Sequence, residues 1–311
     1  MSNTIEKALQ RKQAEELKKA QAQQAGSNTK EEPAERVSEP QGQQIESASP
    51  SSSASLSTGE DNAGNDKDLF NLNLEQLESR GHVSLTGSRS LINEEFREIK
   101  RKLLINAFGP LSATLKNSNI IMVTSGRPSE GKTFTASNLA LSIASEQDKT
   151  VLLVDADVLR PNILNTLGLE RRQGLMEYLT GEVNDIADVL YPTNIDKLKI
   201  IPAGKSHHLS TELLASQKMH ETINEFANRY SDRVVIIDTP PLIGITETAV
   251  LANFAGQAVV VVEEGKAKLN DVKNCIDRLN PEMAIGFVVN KSVHTDDDGT
   301  GYYGYYNYAK Q

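Results

Sequence analysis

The sequence predicts an α/β fold, a parallel sheet flanked by helices on both faces. Three observations predict it. Six short apolar runs, NIIMVTS, TVLLVDAD, KLKIIPA, RVVIIDTPP, AVVVVEE and AIGFVVNK, are nearly continuous rather than alternating, which is the pattern of strands covered on both sides. Helical stretches such as TFTASNLALSIASEQ and STELLASQKMHETINEFANRY separate them, as crossovers between parallel strands require. A glycine-bounded loop joins the first run to the first of those helices.

Taken in order, residues 1–25 scatter Ile5, Leu9 and Leu17 among many Lys, Glu and Gln. That predicts a short charged helix whose apolar stripe is too thin to stand alone in water. From Ala20 to Asp66 the only large aliphatics are Val37, Ile45 and Leu56, too few to offset the entropy of an ordered chain. Residues 1–67 therefore read as a low-complexity, largely disordered extension, 68–295 as the folded domain, and 296–311 as a tyrosine-rich tail. Early in the domain, SLINEEFREIKRKLLINAF sets Ile92, Phe96, Ile99 and Leu103 at helical spacing, giving an amphipathic helix. The six strands and their helices follow.

Charge and composition exclude several classes. With 42 acidic against 33 basic residues and a net charge of −9, the chain lacks the basic balance of a nucleic-acid binder. The single Cys275 forms no intramolecular disulfide and fits a reducing compartment; within the helical LNDVKNCIDRLN it reads as a small buried residue. No stretch reaches the roughly 20 apolar residues of a membrane span, and the polar start MSNTIEKALQ is no signal peptide. A cytoplasmic location is expected. The histidines, 82, 207, 208, 220 and 294, have no metal-ligand spacing with the cysteine.

The chemistry lies in the loop after the first run. Gly126-Arg127-Pro128-Ser129-Glu130-Gly131-Lys132-Thr133 fits G-x-x-x-x-G-K-[ST] in the strand–loop–helix setting that the motif needs. Glycines at 126 and 131 let backbone N–H groups curl toward an anion, and the helix N-terminus adds partial positive charge. Lys132 supplies a full charge and the Thr133 hydroxyl a ligand for Mg²⁺. The nucleotide-binding segment runs from Gly126 to Phe134. Asp238 ends the run VVIID, where an aspartate holds the metal's water shell. Asp155 and Asp157 end VLLVDAD; they share a direction only while the strand continues, so one of them turns into the loop. Carboxylates at such positions also serve as turn starters, but three of them at the carboxyl edge of a parallel sheet, where ligands bind, point to a Mg-nucleotide site.

Together GRPSEGKT, LLVDADVLRP, IIDTPP and the terminal GYYGYYNYAKQ resemble the bacterial tyrosine kinases (BY-kinases), P-loop proteins unrelated in fold to eukaryotic kinases. The similarity covers residues 90–311, and EEFREIKRKLLINAF resembles the subgroup found with exosortase and exopolysaccharide loci. The resemblance implies an ATP-dependent tyrosine autokinase in which Lys132 holds the β- and γ-phosphates and Thr133, Asp157 and Asp238 hold Mg²⁺. It gives Asp155 the role of orienting or deprotonating the tyrosine hydroxyl, and Asn290 a contact with the base (an ordinary turn asparagine being the alternative). The acceptors would be Tyr302, Tyr303, Tyr305, Tyr306 and Tyr308, phosphorylated between subunits of a homo-oligomeric ring, an octamer being one expected size. Glu94, Arg97 and Lys100 match the spacing of the family's ring-forming helix motif, with lysine in place of its last arginine; a solvated helix face with i,i+3 pairs is the alternative. Further implied partners are a cytoplasmic segment of an inner-membrane polysaccharide copolymerase, which recruits the kinase to the membrane, and other tyrosine-bearing proteins.

Three departures stand out. Leu159 occupies the position of an arginine in the family's second acidic motif, with Arg160 next to it; Ser129 stands where many relatives have glycine; and Arg127 stands where the partition and division-site ATPases, a rival class of the same fold, carry their signature lysine. Under that rival reading the chain is a nucleotide switch. A third reading makes the tyrosine tail a passive interaction segment.

Overall fold

The computed structural model describes residues 69–85, 90–110 and 112–292. The extension 1–67 and the tail 296–311, with Tyr302, Tyr303, Tyr305, Tyr306 and Tyr308, lie outside the described residues.

All six apolar runs form strands: β1 (Ile120–Ser125), β2 (Thr150–Asp155), β4 (Leu198–Ile201), β5 (Arg233–Asp238), β6 (Gln257–Glu263) and β7 (Ala284–Asn290). They build one sheet of order β3-β4-β2-β5-β1-β6-β7, parallel throughout except at one edge. There β3 (Tyr191–Pro192) pairs antiparallel with β4. The sequence reading missed β3, because two residues, one of them proline, leave no periodic imprint and an edge is where proline is tolerated.

Successive residues of each strand feed opposite faces. Ile120 and Met122 enter one buried cluster with Leu152, Val235 and Ile237. Ile121 and Val123 enter another with Leu153, Val234 and Ile236. Two covered faces demand apolar side chains at every position, which is why the runs are continuous. The first cluster is closed by α5 (Leu175–Thr180), α7 (Gln217–Asn228) and α8 (Thr246–Ala252), through residues such as Met176, Ile223 and Leu251. α7 starts where Ser216 caps the Met219 N–H.

The second cluster is closed by α3 (Lys132–Ala144) and, over it, α2 (Leu91–Phe108). Sandwiched between sheet and helix, α3 is buried almost all round, from Thr133 to Ala144. α2 turns Phe96, Leu103 and Ala107 inward, as its spacing predicts. Ahead of it, Phe70, Leu72 and α1 (Leu74–Ser79) with its Leu77 join the same cluster. Asn194 pins that strap to the β3 edge by exchanging two hydrogen bonds with the Leu72 backbone. The remaining helices are α4 (Ile163–Thr166), α6 (Ser210–Leu214) and α9 (Leu269–Ile276). Cys275 of α9 is buried, as its helical setting suggested. Among the described residues no helix is long and apolar enough to cross a membrane.

Lys100 departs from the grouping read in the sequence. Glu94 and Arg97 form an ion pair on the surface of α2, but Lys100 is buried. Its ammonium donates to the carbonyl of Ser142 at 2.9 Å and pairs with Glu146 at 2.6 Å. At about 100° per residue, six steps carry it roughly 120° round the helix from Glu94. Lys100 therefore staples α2 to the C-terminal turn of α3, where a cation also complements the helix dipole, while it lines one cavity with Arg97 and Glu146.

Candidate nucleotide and phosphoryl-transfer site

Three adjacent strands bring the sequence-predicted residues to one edge. In the order β2-β5-β1, Asp155 is paired in register with Asp238, and Asp238 with Val123 of β1. Neighbouring strands lie about 4.8 Å apart, so all three carboxyl ends converge although 25 or more residues separate them in sequence. The loop after β5 is tied to β1: Thr239 Oγ1 donates to the Val123 carbonyl, Thr124 Oγ1 to that of Pro240, and the Leu242 N–H to that of Ser125.

The phosphate loop is braced from within. Ser125 Oγ donates to the carbonyl of Arg127 at 2.7 Å, and the buried Glu130 carboxylate accepts the Arg127 N–H at 2.7 Å. Gly131, at φ 102°, caps α3 in a left-handed conformation that a side chain resists; a Cβ there would also collide with the Asn290 amide. A Cβ at Gly126 would come within 3.2 Å of Cys275 Sγ. Burial, with the charges of Glu130 and Asp271, pushes that thiol up to about 11, which makes it packing rather than chemistry.

Ser129 takes φ 69°, a conformation glycine holds freely and serine does not. Ser129→Gly is expected to raise the unfolding free energy of the nucleotide-free chain by roughly 0.5–1 kcal/mol, the relieved strain exceeding the entropy glycine loses on folding. A β-branched valine there lowers it by at least about 1 kcal/mol. Urea unfolding measures both.

The charged centre is almost dry. Lys132 Nζ pairs with Asp157 Oδ2 at 2.5 Å, with the two side chains 11% and 4% exposed. Burial alone lowers an ammonium's pKa, but the charges of Asp238, Asp157 and Asp155 outweigh it and leave Lys132 raised. β2 stops at Asp155, so Asp157 is the member of the pair that turns into the loop. Asp155 Oδ1 accepts the Asp157 N–H at 3.2 Å, and Oδ2 accepts those of Asn162 and Ile163 at 3.1 Å. Asp155 thus organises the loop that carries Asp157. Burial, then the charge of Asp238, hold its carboxyl well above the ordinary range.

Asp238 is the unusual group. It is fully buried and neither carboxylate oxygen has a hydrogen-bond partner, against the rule that buried polar atoms are satisfied. Burial raises it to about 6, although nearby Lys132 and Thr133 pull it down. Two such orphaned oxygens beside a threonine hydroxyl are hard donors of the kind that suits a small divalent cation. Among the described residues no three His, Cys, Asp or Glu side chains form a metal cage. A cation here would therefore draw further ligands from water or phosphate.

Arg127 and Asn290 are both engaged within the chain. Arg127 forks onto Asp271 of α9 at 2.8 and 3.2 Å. Asn290 Nδ2 donates to the Glu130 carbonyl at 2.8 Å, so the asparagine lies against the phosphate loop. Phe134 packs on the buried His82 with ring centroids 4.9 Å apart. Sequence reasoning missed Asp271 of α9, which pairs with Arg127, and Lys291, just after β7, which reaches the Ser129 carbonyl and Glu263 of β6; long-range contacts between surface charges leave no mark on local sequence.

Residues 118–285 match a family described as the AAA domain. The tyrosine-protein kinase YwqD of Bacillus subtilis is 30% identical over 227 residues, spanning 72% of this chain and 92% of the relative. The tyrosine-protein kinase wzc of Salmonella typhimurium is 33% identical over 195 residues, 62% of this chain. This chain spans only 27% of that relative's length. Among solved structures, the kinase domain of Escherichia coli tyrosine kinase ETK superposes with a TM-score of 0.56 at 25% identity, covering 73% of this chain and 92% of that one.

Proposed function

Because the chain belongs to the family of bacterial tyrosine kinases, we propose that it is an ATP-dependent protein-tyrosine kinase that phosphorylates Tyr302, Tyr303, Tyr305, Tyr306 and Tyr308 of a second copy. The observation that carries this reading is Asp238, a buried carboxylate with two unpartnered oxygens under a phosphate loop whose lysine is already paired to Asp157.

Each residue has a task within that reading. The loop N–H groups and Lys132 hold the β- and γ-phosphates of ATP. Thr133, Asp157 and Asp238 would hold Mg²⁺, which when bound neutralises charge on the transferring phosphoryl group. Lys132 faces both Asp157 and the phosphates, so nucleotide entry exchanges one anionic partner for another and keeps the ammonium charged. The phenol oxygen of the incoming tyrosine bonds to the γ-phosphorus as the bond to the bridging oxygen breaks; ADP leaves, and the phenolic proton passes to solvent. For a phenol of pKa about 10, placement and charge neutralisation outweigh early proton removal. Asp155 contributes placement, through the loop it holds.

Residues 68–295 would be the catalytic unit, 1–67 an extension and 296–311 the acceptor tail. The proposed setting is exopolysaccharide synthesis or export, at the inner face of the membrane, with a cytoplasmic segment of a polysaccharide copolymerase as activator and other tyrosine-bearing proteins as further substrates. The alternative of a nucleotide switch is disfavoured by Arg127. Arginine stands there in place of that class's signature lysine, and in this chain it pairs with Asp271 of α9.

The test is mass spectrometry after incubation with Mg-ATP. Phosphate mapped to Tyr302–Tyr308 is the expected result; ATP hydrolysis with no phosphotyrosine would favour the switch. A ring built through the helix that carries Glu94, Arg97 and Lys100 has its own test. Each phosphate adds about −1.5 to −2, so five add about −7 to −10 to every tail, and crowded tails repel. Light scattering should report a smaller assembly after ATP and a larger one after phosphatase; equal mass in both states rules this control out.

A further inference from the structure

Lys291 has no part in the chemistry above. It follows the last residue of β7 and adopts φ 60°, a left-handed backbone uncommon for a long side chain. Its ammonium donates to the carbonyl of Ser129 at 2.8 Å and to Glu263 Oε2 at 3.0 Å. Next to it, Asn290 Nδ2 takes the carbonyl of Glu130. Two consecutive carbonyls of the phosphate loop are thus gripped by two consecutive residues at the end of one strand. One of those loop residues is the strained Ser129, and strain of this kind persists only where the surroundings enforce it.

We infer that Lys291, together with Asn290, is a positioning residue that sets the phosphate loop for nucleotide before nucleotide arrives. The peptide bond is planar and trans, so the C=O of Ser129 and the N–H of Glu130 point in opposite directions in one plane. The same holds for the C=O of Glu130 and the N–H of Gly131. Drawing both carbonyls outward, onto Lys291 and Asn290, turns both N–H groups inward, where phosphate oxygens are bound. Released from the grip, the loop relaxes toward conformations that relieve Ser129, and apparent affinity falls in proportion to the fraction still competent. Glu263 keeps the ammonium in place and is itself held by Lys266 at 2.5 Å; those two lysines hold its carboxylate below the ordinary range.

This inference rests on the reading that residues 126–133 bind nucleotide phosphates, and it does not need tyrosine transfer. The experiment is calorimetric titration of the full chain with Mg-ADP, beside urea unfolding without nucleotide. Lys291→Met is expected to weaken ADP binding about five- to twentyfold, the effect of one half-exposed charged hydrogen bond, with the urea midpoint little changed. Lys291→Arg should restore affinity to within about twofold, and Glu263→Gln should weaken it in the same direction by less. Wild-type affinity in Lys291→Met overturns the inference. So does an arginine variant as weak as the methionine one, or a loss of nucleotide-free stability large enough to account for the change. A wild-type chain that binds no Mg-ADP removes the inference and the phosphate-loop reading together. Tight binding without phosphotyrosine removes the kinase reading alone.

Discussion

Lys132→Met is expected to slow tyrosine phosphorylation by about a thousandfold or more, the scale on which phosphoryl-transfer sites depend on a single transition-state cation. The loss follows from position as well as charge. Lys132 opens α3, so its side chain rises from the same turn whose N–H groups face the phosphates, and no other described lysine shares that turn. The same change leaves Asp157, Asp238 and Asp155 without their shared counter-charge. In a site this dry, removing one partner of a buried pair costs about 3 kcal/mol, which thermal unfolding without nucleotide would show. The variant keeps its tail. Mixed with a catalytically intact copy whose five tail tyrosines are phenylalanine, it should acquire phosphate on Tyr302–Tyr308; a tail that stays unmodified in the mixture would mean that transfer does not run between copies.

Asp238→Asn should act in opposite directions on activity and stability. Activity falls on a similar scale, because the two oxygens offered to the cation become one oxygen and one N–H₂ group. Stability of the nucleotide-free chain rises. The folded-state pKa of about 6 stands above the ordinary value near 3.9, so the folded chain binds this proton more tightly than the unfolded chain does. Stability therefore declines as pH climbs through that interval, and the full penalty of a buried charge is present above about pH 6. Removing it is worth on the order of 2 kcal/mol. Thermal midpoints should show the variant ahead of wild type at pH 7.5, with the advantage shrinking as pH falls from 6 toward 4. A wild-type midpoint ahead at pH 7.5 would contradict the burial argument. Under the proposed function, this carboxylate would be a group kept at a cost in stability for the cation it holds.

The sheet and the acidic ends of β2 and β5 were legible in the sequence because burial on two faces writes itself locally. Every position of β1 faces one core or the other, so every position is apolar or small. The convergence of Asp155 with Asp238 followed from the parallel topology, since strands of one sheet end at one edge. The burial of Lys100 was not legible because its partners Ser142 and Glu146 lie 42 and 46 residues away in sequence. Arg127–Asp271 and Lys291–Ser129 span 144 and 162 residues; their positions show what residues are present but not what they meet. The division of labour between Asp155 and Asp157 depended on where β2 stops, a boundary that apolar character alone does not mark.

The grip of Lys291 on Ser129 fixes where the proposed acceptor segment leaves the described domain. Ten residues lead from Ser292 to Tyr302, at most about 36 Å of extended chain, and the mooring is the rim of the chain's own phosphate loop. Contour length alone therefore does not keep a tyrosine from its own catalytic centre. If copies phosphorylate one another, what separates self from neighbour is the bearing on which a phenol arrives, and that bearing is set by how the copies are packed.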